Sequence, residues 1–186
     1  MPTRQNNGII ERFNHLLGML DGRKVQVMKF IKKLEHSVGV AETLLQMKEI
    51  LAPWISDESC IIVGLFHDLG KAGMPGIPLY LPNPDQWQAE NRNRRYLINQ
   101  DLTTMDIAVR SLFLVAQYIT LTEEEAQAIA YHDGQYLEGN KIVAHREESL
   151  TLLLQYADNW TASVLEDEDS DEIMLSLKKV KEIRAY

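Results

Sequence analysis

Apolar residues recur at intervals of three and four along almost the whole chain, and no run of four to eight residues alternates cleanly enough to read as a strand. That periodicity commits the chain to helices. Its 186 residues amount to about one domain, large enough to bury a core without a metal or a disulfide to hold it together. The expected fold is all-α, a single domain over 1–186 built as a bundle of about seven or eight helices, with its core over about residues 30–165.

The helices can be placed from their caps and breakers. A first amphipathic helix carries Ile9, Ile10, Phe13, Leu16, Leu17 and Leu20 and stops at Asp21-Gly22. Val25 to Leu34 is a basic amphipathic stretch, and Lys29, Lys32 and Lys33 within it, with Lys24 just before it, read as a solvated face. After a break near His36, the next helix carries Val38, Ala41, Leu44, Leu45 and Leu51 and ends at Pro53. Ser56 is placed to cap the following helix, with Asp57 and Glu58 favoured in its first turn by the helix dipole. This helix is apolar nearly all round and hence central.

Glycines 70, 73 and 76 with prolines 75, 78 and 82 then predict a long loop from Gly70 to Pro82. Asn83-Pro84 reads as the start of a short helix from Trp87 to about Tyr96, and Leu102 to Ile119 as a long one. Thr122-Glu123-Glu124-Glu125 is a capping box opening a helix that closes near Gly134. Another helix is expected from Glu147 to about Leu165. An acidic loop over 166–172 and a C-terminal helix over 173–186, apolar at 173, 177, 180 and 183, complete the reading.

Charge and cysteine content narrow the function. The formal net charge of −8 argues against a broad nucleic-acid surface. Six of the acids crowd into the seven residues from Glu166 to Glu172, and outside that run 19 basic residues stand against 21 acidic ones, so a locally positive pocket remains compatible with the composition. With 45% apolar residues and Cys60 as the lone cysteine, neither disorder nor a disulfide scaffold fits, and a reducing compartment such as the cytosol is expected. The longest apolar run, Cys60 to Phe66, falls far short of the ~20 residues a membrane span needs. Met1 to Asn7 precedes no signal-type stretch, so a cytoplasmic protein without a membrane partner is expected.

The chemistry concentrates in histidine-aspartate pairs. Five histidines and eleven aspartates among 186 residues would be adjacent less than once by chance, yet His67-Asp68 and His132-Asp133 both occur. The first pair ends the most apolar helix, and an ionised carboxylate there costs several kcal/mol unless a cation or strong donors compensate it. His36 is in phase with Val40, Leu44, Met47 and Leu51, and Asp158 with Leu150, Leu154, Ala162 and Leu165, so both stand at or beside an apolar stripe. Imidazole nitrogen combined with carboxylate oxygen suits a divalent Mn, Fe, Co, Ni or Zn ion better than Mg. Adjacent helical residues point about 100° apart, so His67 and Asp68 can share an ion only in a crevice between crossing helices.

These residues together resemble the HD-domain superfamily of metal-dependent phosphohydrolases. The matching segments are His36 in EHSVGVAETLL, His67-Asp68 in GLFHDLGK and Asp158 in LLLQYADNW. The resemblance implies a small stand-alone domain of bacterial or phage type, in which His36, His67, Asp68 and Asp158 hold one metal ion and Asp68 can bridge to a second. Lys71 looks like the lysine that in some members contacts phosphate; some HD nucleotidases carry a catalytic Glu at that place. Its alternative role is to offset the C-terminal end of its helix dipole. AIAYHDGQY, around His132, is similar to a region of HD-type cyclic-dinucleotide phosphodiesterases, which makes His132 and His145 candidates for a second metal or for substrate. Arg92, Arg94 and Arg95 could fork onto phosphate oxygens or could form a solvated helix end.

The expected function is hydrolysis of a phosphoester or phosphoanhydride in a small anionic phosphorylated molecule, a nucleotide above all. Asp68 and Lys71 would be the catalytic groups, with one divalent ion and room in the pattern for two. The alternatives are an HD-fold di-iron oxygenase and a non-catalytic nucleotide-binding module.

Overall fold

The computed structural model describes residues 24–166, with side chains from residue 34 onward. The helix expected over Ile9 to Leu20, the acidic run beyond Glu166 and the C-terminal helix lie outside the described residues. The described residues from His36 onward belong to one compact unit, and it is predominantly helical.

Helix α1 spans Lys24–Leu51 without interruption. The break expected near His36 is absent, because neither Ser37 nor Gly39 removes a backbone N–H and only proline would force the ladder open. Its inward stripe carries Val40, Ala41 and Leu44, all buried. Pro53 follows its end, and Ser56 caps α2, Asp57–Phe66, by accepting a hydrogen bond from Ser59 N at 3.0 Å. A Cβ added to Gly64 of α2 would lie 2.6 Å from Ala41 Cα, so α1 and α2 touch backbone to backbone. That contact brings the C-terminal end of α2 beside α1.

A 3-10 turn, Leu69–Ala72, follows. It is wedged against α4, Ile107–Val115, where Ser111 Oγ accepts from Gly70 N at 2.8 Å. A Cβ on Gly70 would stand 2.2 Å from Ile107 O, so only glycine allows this seat. The expected long loop is thus partly ordered, and it leads into a structure the sequence reading did not contain. Strands β1, Tyr80–Pro82, and β2, Tyr96–Ile98, pair antiparallel with Tyr80 opposite Ile98 and Pro82 opposite Tyr96. Between them lies α3, Gln86–Asn91, capped by Asp85 rather than by Asn83. Asn83 instead closes the base of the hairpin, its side chain donating to Arg94 O at 2.7 Å and accepting from Asp85 N at 3.0 Å. Asn93, at φ 51°, ends the helical course well before Tyr96.

Helix α4 starts five residues later than expected. Asn99 accepts from Asp101 N at 3.0 Å, and Arg110 donates to Thr103 O at 2.7 Å, which together hold 99–106 as a connection. Helix α5, Glu123–Tyr131, opens with the expected capping box, Thr122 and Glu125 bonding reciprocally. Helix α6, Ser149–Trp160, runs on into a π turn, Thr161–Leu165. The core gathers Val40, Leu44, Val63, Ile129, Leu150 and Leu154 from α1, α2, α5 and α6. Each such large aliphatic side chain contributes roughly 1.5–3 kcal/mol by leaving water. No helix among the described residues is long and apolar enough to cross a membrane.

A candidate metal centre

Four elements converge on two donor groups that share His67: α1 supplies His36, the end of α2 supplies His67 and Asp68, the end of α5 supplies His132, and α6 supplies Asp158. His67 continues the helical backbone at φ −53°, ψ −39°, whereas Asp68 leaves it at φ −102°, ψ 10°. That change of backbone course answers the geometric difficulty of two adjacent ligands, since the second side chain no longer follows the helical rotation.

The imidazoles share one presentation. His67 Nδ1 lies 2.9 Å from Gly64 O, and His132 Nδ1 lies 2.9 Å from Ile129 O, so each donates backward to a carbonyl one turn earlier. His36 Nδ1 lies 2.7 Å from Glu166 Oε1. Every Nε2 is left facing the cluster; at His67 and His132 the Nδ1–H donated to a carbonyl gives the tautomer a metal ligand requires, whereas His36 meets a carboxylate at each of its nitrogens. His36 Nε2 is 3.0 Å and His67 Nε2 3.7 Å from Asp158 Oδ1. His67 Nε2 is 3.8 Å from Asp68 Oδ2, and His132 Nε2 is 3.5 Å from Asp68 Oδ1. Ligand atoms of His36, His67 and Asp158 all lie within 4.8 Å of one another, and so do those of His67, Asp68 and His132.

Two of these atoms, His67 Nε2 and Asp68 Oδ1, are buried with no hydrogen-bond partner. An unsatisfied buried polar atom costs about 1–3 kcal/mol, and a divalent ion between the two would satisfy both. The donors therefore fit a metal: mixed nitrogen and oxygen, clustered, and orphaned where an ion would bind.

Charge is balanced within the group. Burial pushes the Asp68 carboxyl up, but the neighbouring His132, His67 and Lys71 outweigh it and hold the group well below the usual carboxylate range. Burial likewise opposes ionisation of Asp158, and His36 and His67 overcome it. The His36 imidazole is raised, first by its bond to Asp158. For His132, burial disfavours the charged form, but Asp68 and Asp133 prevail and its value is raised. The Lys71 ammonium rests on Asp68 Oδ2.

The remaining candidates lie elsewhere. His145 is exposed at φ 62° and belongs to neither donor group. Arg92, Arg94 and Arg95 are exposed around the hairpin, with Arg92 stacked 5.5 Å over the Trp87 ring, and none of them pairs with Asp68 or Asp158. Burial pushes the Cys60 thiol up to about 11, which keeps it protonated and out of metal chemistry. A cavity of about 450 Å³, lined by Phe66, Leu69, Ala72, Leu114 and Tyr118 among others, takes residues 69 and 72 of the 3-10 turn. Three residues per turn put these on a different side from Asp68 and Lys71, so the cavity and the donors are separate features.

Sequence reasoning missed Glu166, which reads as the first acid of a solvated run. It also raised His132 without being able to set it beside Asp68.

Comparison with known families matches the HD domain over residues 34–174, a span that contains every donor described above. No curated protein and no solved structure matches the chain.

Proposed function

The chain belongs to the HD-domain family of metal-dependent hydrolases, and we propose that it is a phosphohydrolase cleaving a phosphoester or phosphoanhydride of a small phosphorylated molecule, with a nucleotide as the leading substrate class. The observation that carries this reading is the pair of buried ligand atoms that make no hydrogen bond, His67 Nε2 and Asp68 Oδ1, inside a cluster of imidazoles and carboxylates. In this reading His36, His67, Asp68 and Asp158 hold one divalent ion, for which the nitrogen and oxygen donors favour Mn, Fe, Co, Ni or Zn over Mg. When bound, the ion supplies positive charge that polarises a phosphoryl oxygen and acidifies water.

The protein groups do the rest. The Asp68 carboxylate, ionised at neutral pH, accepts a hydrogen bond from the attacking water and orients it. The Lys71 ammonium, already at Asp68, stands where it can neutralise charge building on the phosphoryl group. His132 has two roles that exclude each other: with a proton on Nε2 it can supply the leaving oxygen, and without one it can join His67 and Asp68 around a second ion. Metal stoichiometry decides between them. Arg92, Arg94 and Arg95 are assigned to first contact with substrate phosphate, outside the ligand set. A di-iron oxygenase would need a second ligand set, and of its two candidates, His132 and His145, His132 alone belongs to a donor group among the described residues. A reducing, cytosolic setting is proposed on the strength of the lone Cys60.

The test is a screen of the chain reconstituted with Mn, Co, Ni, Fe or Mg against nucleoside mono-, di- and triphosphates and cyclic dinucleotides. His67→Ala and Asp68→Ala should each lose bound metal and at least about 100-fold in activity. Full activity and metal content in either variant sinks the reading.

A further inference from the structure

Of the three clustered imidazoles, two turn their Nδ1 toward a carbonyl of their own helix, at Gly64 and Ile129. His36 does not: its Nδ1 meets a carboxylate, Glu166 Oε1, at 2.7 Å from a residue 130 positions away. The way Glu166 gets there is a matter of helix geometry. It lies eight residues beyond Asp158, and at about 100° per residue an unbroken α-helix would turn it about 80° away from that side chain. The extra residue accommodated by a π turn takes back about 100°, which returns Glu166 to within about 20° of the face carrying Asp158. The turn is closed by Glu166 N donating to Thr161 O at 3.0 Å. It is seated on α1 through Thr161, whose hydroxyl is 3.3 Å from that of Thr43 and whose methyl would be 3.0 Å from a Cβ on Gly39. Asp158 and Glu166 thus grip opposite nitrogens of one ring from a single helix.

We propose that Glu166 is a positioning residue of the metal centre: its carboxylate fixes the rotation and tautomer of His36 so that Nε2 faces the ion. The proposal rests on the reading of His36 as a ligand. A carboxylate behind a ligating histidine also raises the basicity of the opposite nitrogen, and loss of such partners in other sites weakens metal binding by about 10- to 100-fold.

The experiment titrates Co(II) into the metal-free parent chain, Glu166→Ala and Glu166→Gln, reading affinity by calorimetry and ligand geometry by the visible absorption band, with metal-free melting temperatures measured alongside. Glu166→Ala is expected to bind Co(II) about 10- to 100-fold more weakly with a shifted band and a metal-free melting temperature close to that of the parent. Glu166→Gln, whose Oε1 still accepts from Nδ1, is expected to recover the band and part of the affinity. Unchanged affinity and band in Glu166→Ala overturn the proposal while leaving the proposed function standing. A steep loss of metal-free stability assigns Glu166 a structural role and also overturns it, as does a Gln variant indistinguishable from Ala. A parent chain that binds no Co(II) overturns both readings together.

Discussion

In the proposed centre a proton on His36 and a metal ion at its Nε2 would compete for the same lone pair, so the chain is expected to respond oppositely to pH with and without metal. In the metal-free chain the His36 and His132 values are raised above 6.5. Raised histidines stabilise the fold fully below their unfolded value, and that stabilisation is lost as pH rises through the folded value. The metal-free melting temperature is therefore expected to fall between about pH 6 and 8, while the increment produced by Co(II) grows over the same interval. Differential scanning fluorimetry with chelator and with Co(II) measures both. A metal-free melting temperature that climbs through the window contradicts the charge assignment of these two imidazoles.

Between elements, the decisive contact is the crossing of α1 and α2. Gly64→Ala sets a methyl 2.6 Å from Ala41 Cα, so the helices must separate, at a cost of about 1–3 kcal/mol. Because Gly64 O also holds the His67 ring, weaker Co(II) binding should accompany the lost stability. Gly139→Ala meets nothing within 4 Å and should change stability by less than about 0.5 kcal/mol, which urea denaturation of both variants will show. The same scale explains what was legible in advance. Ser56 and the Thr122-Glu125 box were readable because a cap is a local bond between neighbours in sequence. Strands of three residues, Tyr80–Pro82 and Tyr96–Ile98, are too short to display an alternating period, and their pairing joins residues up to 18 apart. The π turn left no trace in composition, so Glu166 looked like any other acid. His36, His67, Asp68 and Asp158 stood out because polar groups at or beside apolar stripes are conspicuous, whereas the place of His132 depended on how α5 packs against α2.

For the molecule as a whole, occupancy of the centre should set stability. A ligand present at about 100 times its dissociation constant adds about 2.7 kcal/mol when it binds only the folded chain. Chelation is accordingly expected to lower the melting temperature by several degrees, and resupply of Co(II) or Mn(II) to restore it; identical melting curves would mean that the cluster holds no ion in solution. The positions of the donors give this a topological meaning. His36 and Asp158 are 122 residues apart, and His67 falls between them. In the proposed reading, an ion shared by all three would pin the two ends of most of the described chain at one knot and leave everything between them as closed loops. Such a clasp behaves as a removable crosslink: its release frees the segments from α2 to α6 to open independently, so limited proteolysis of the chelated protein should begin within the span it had tied.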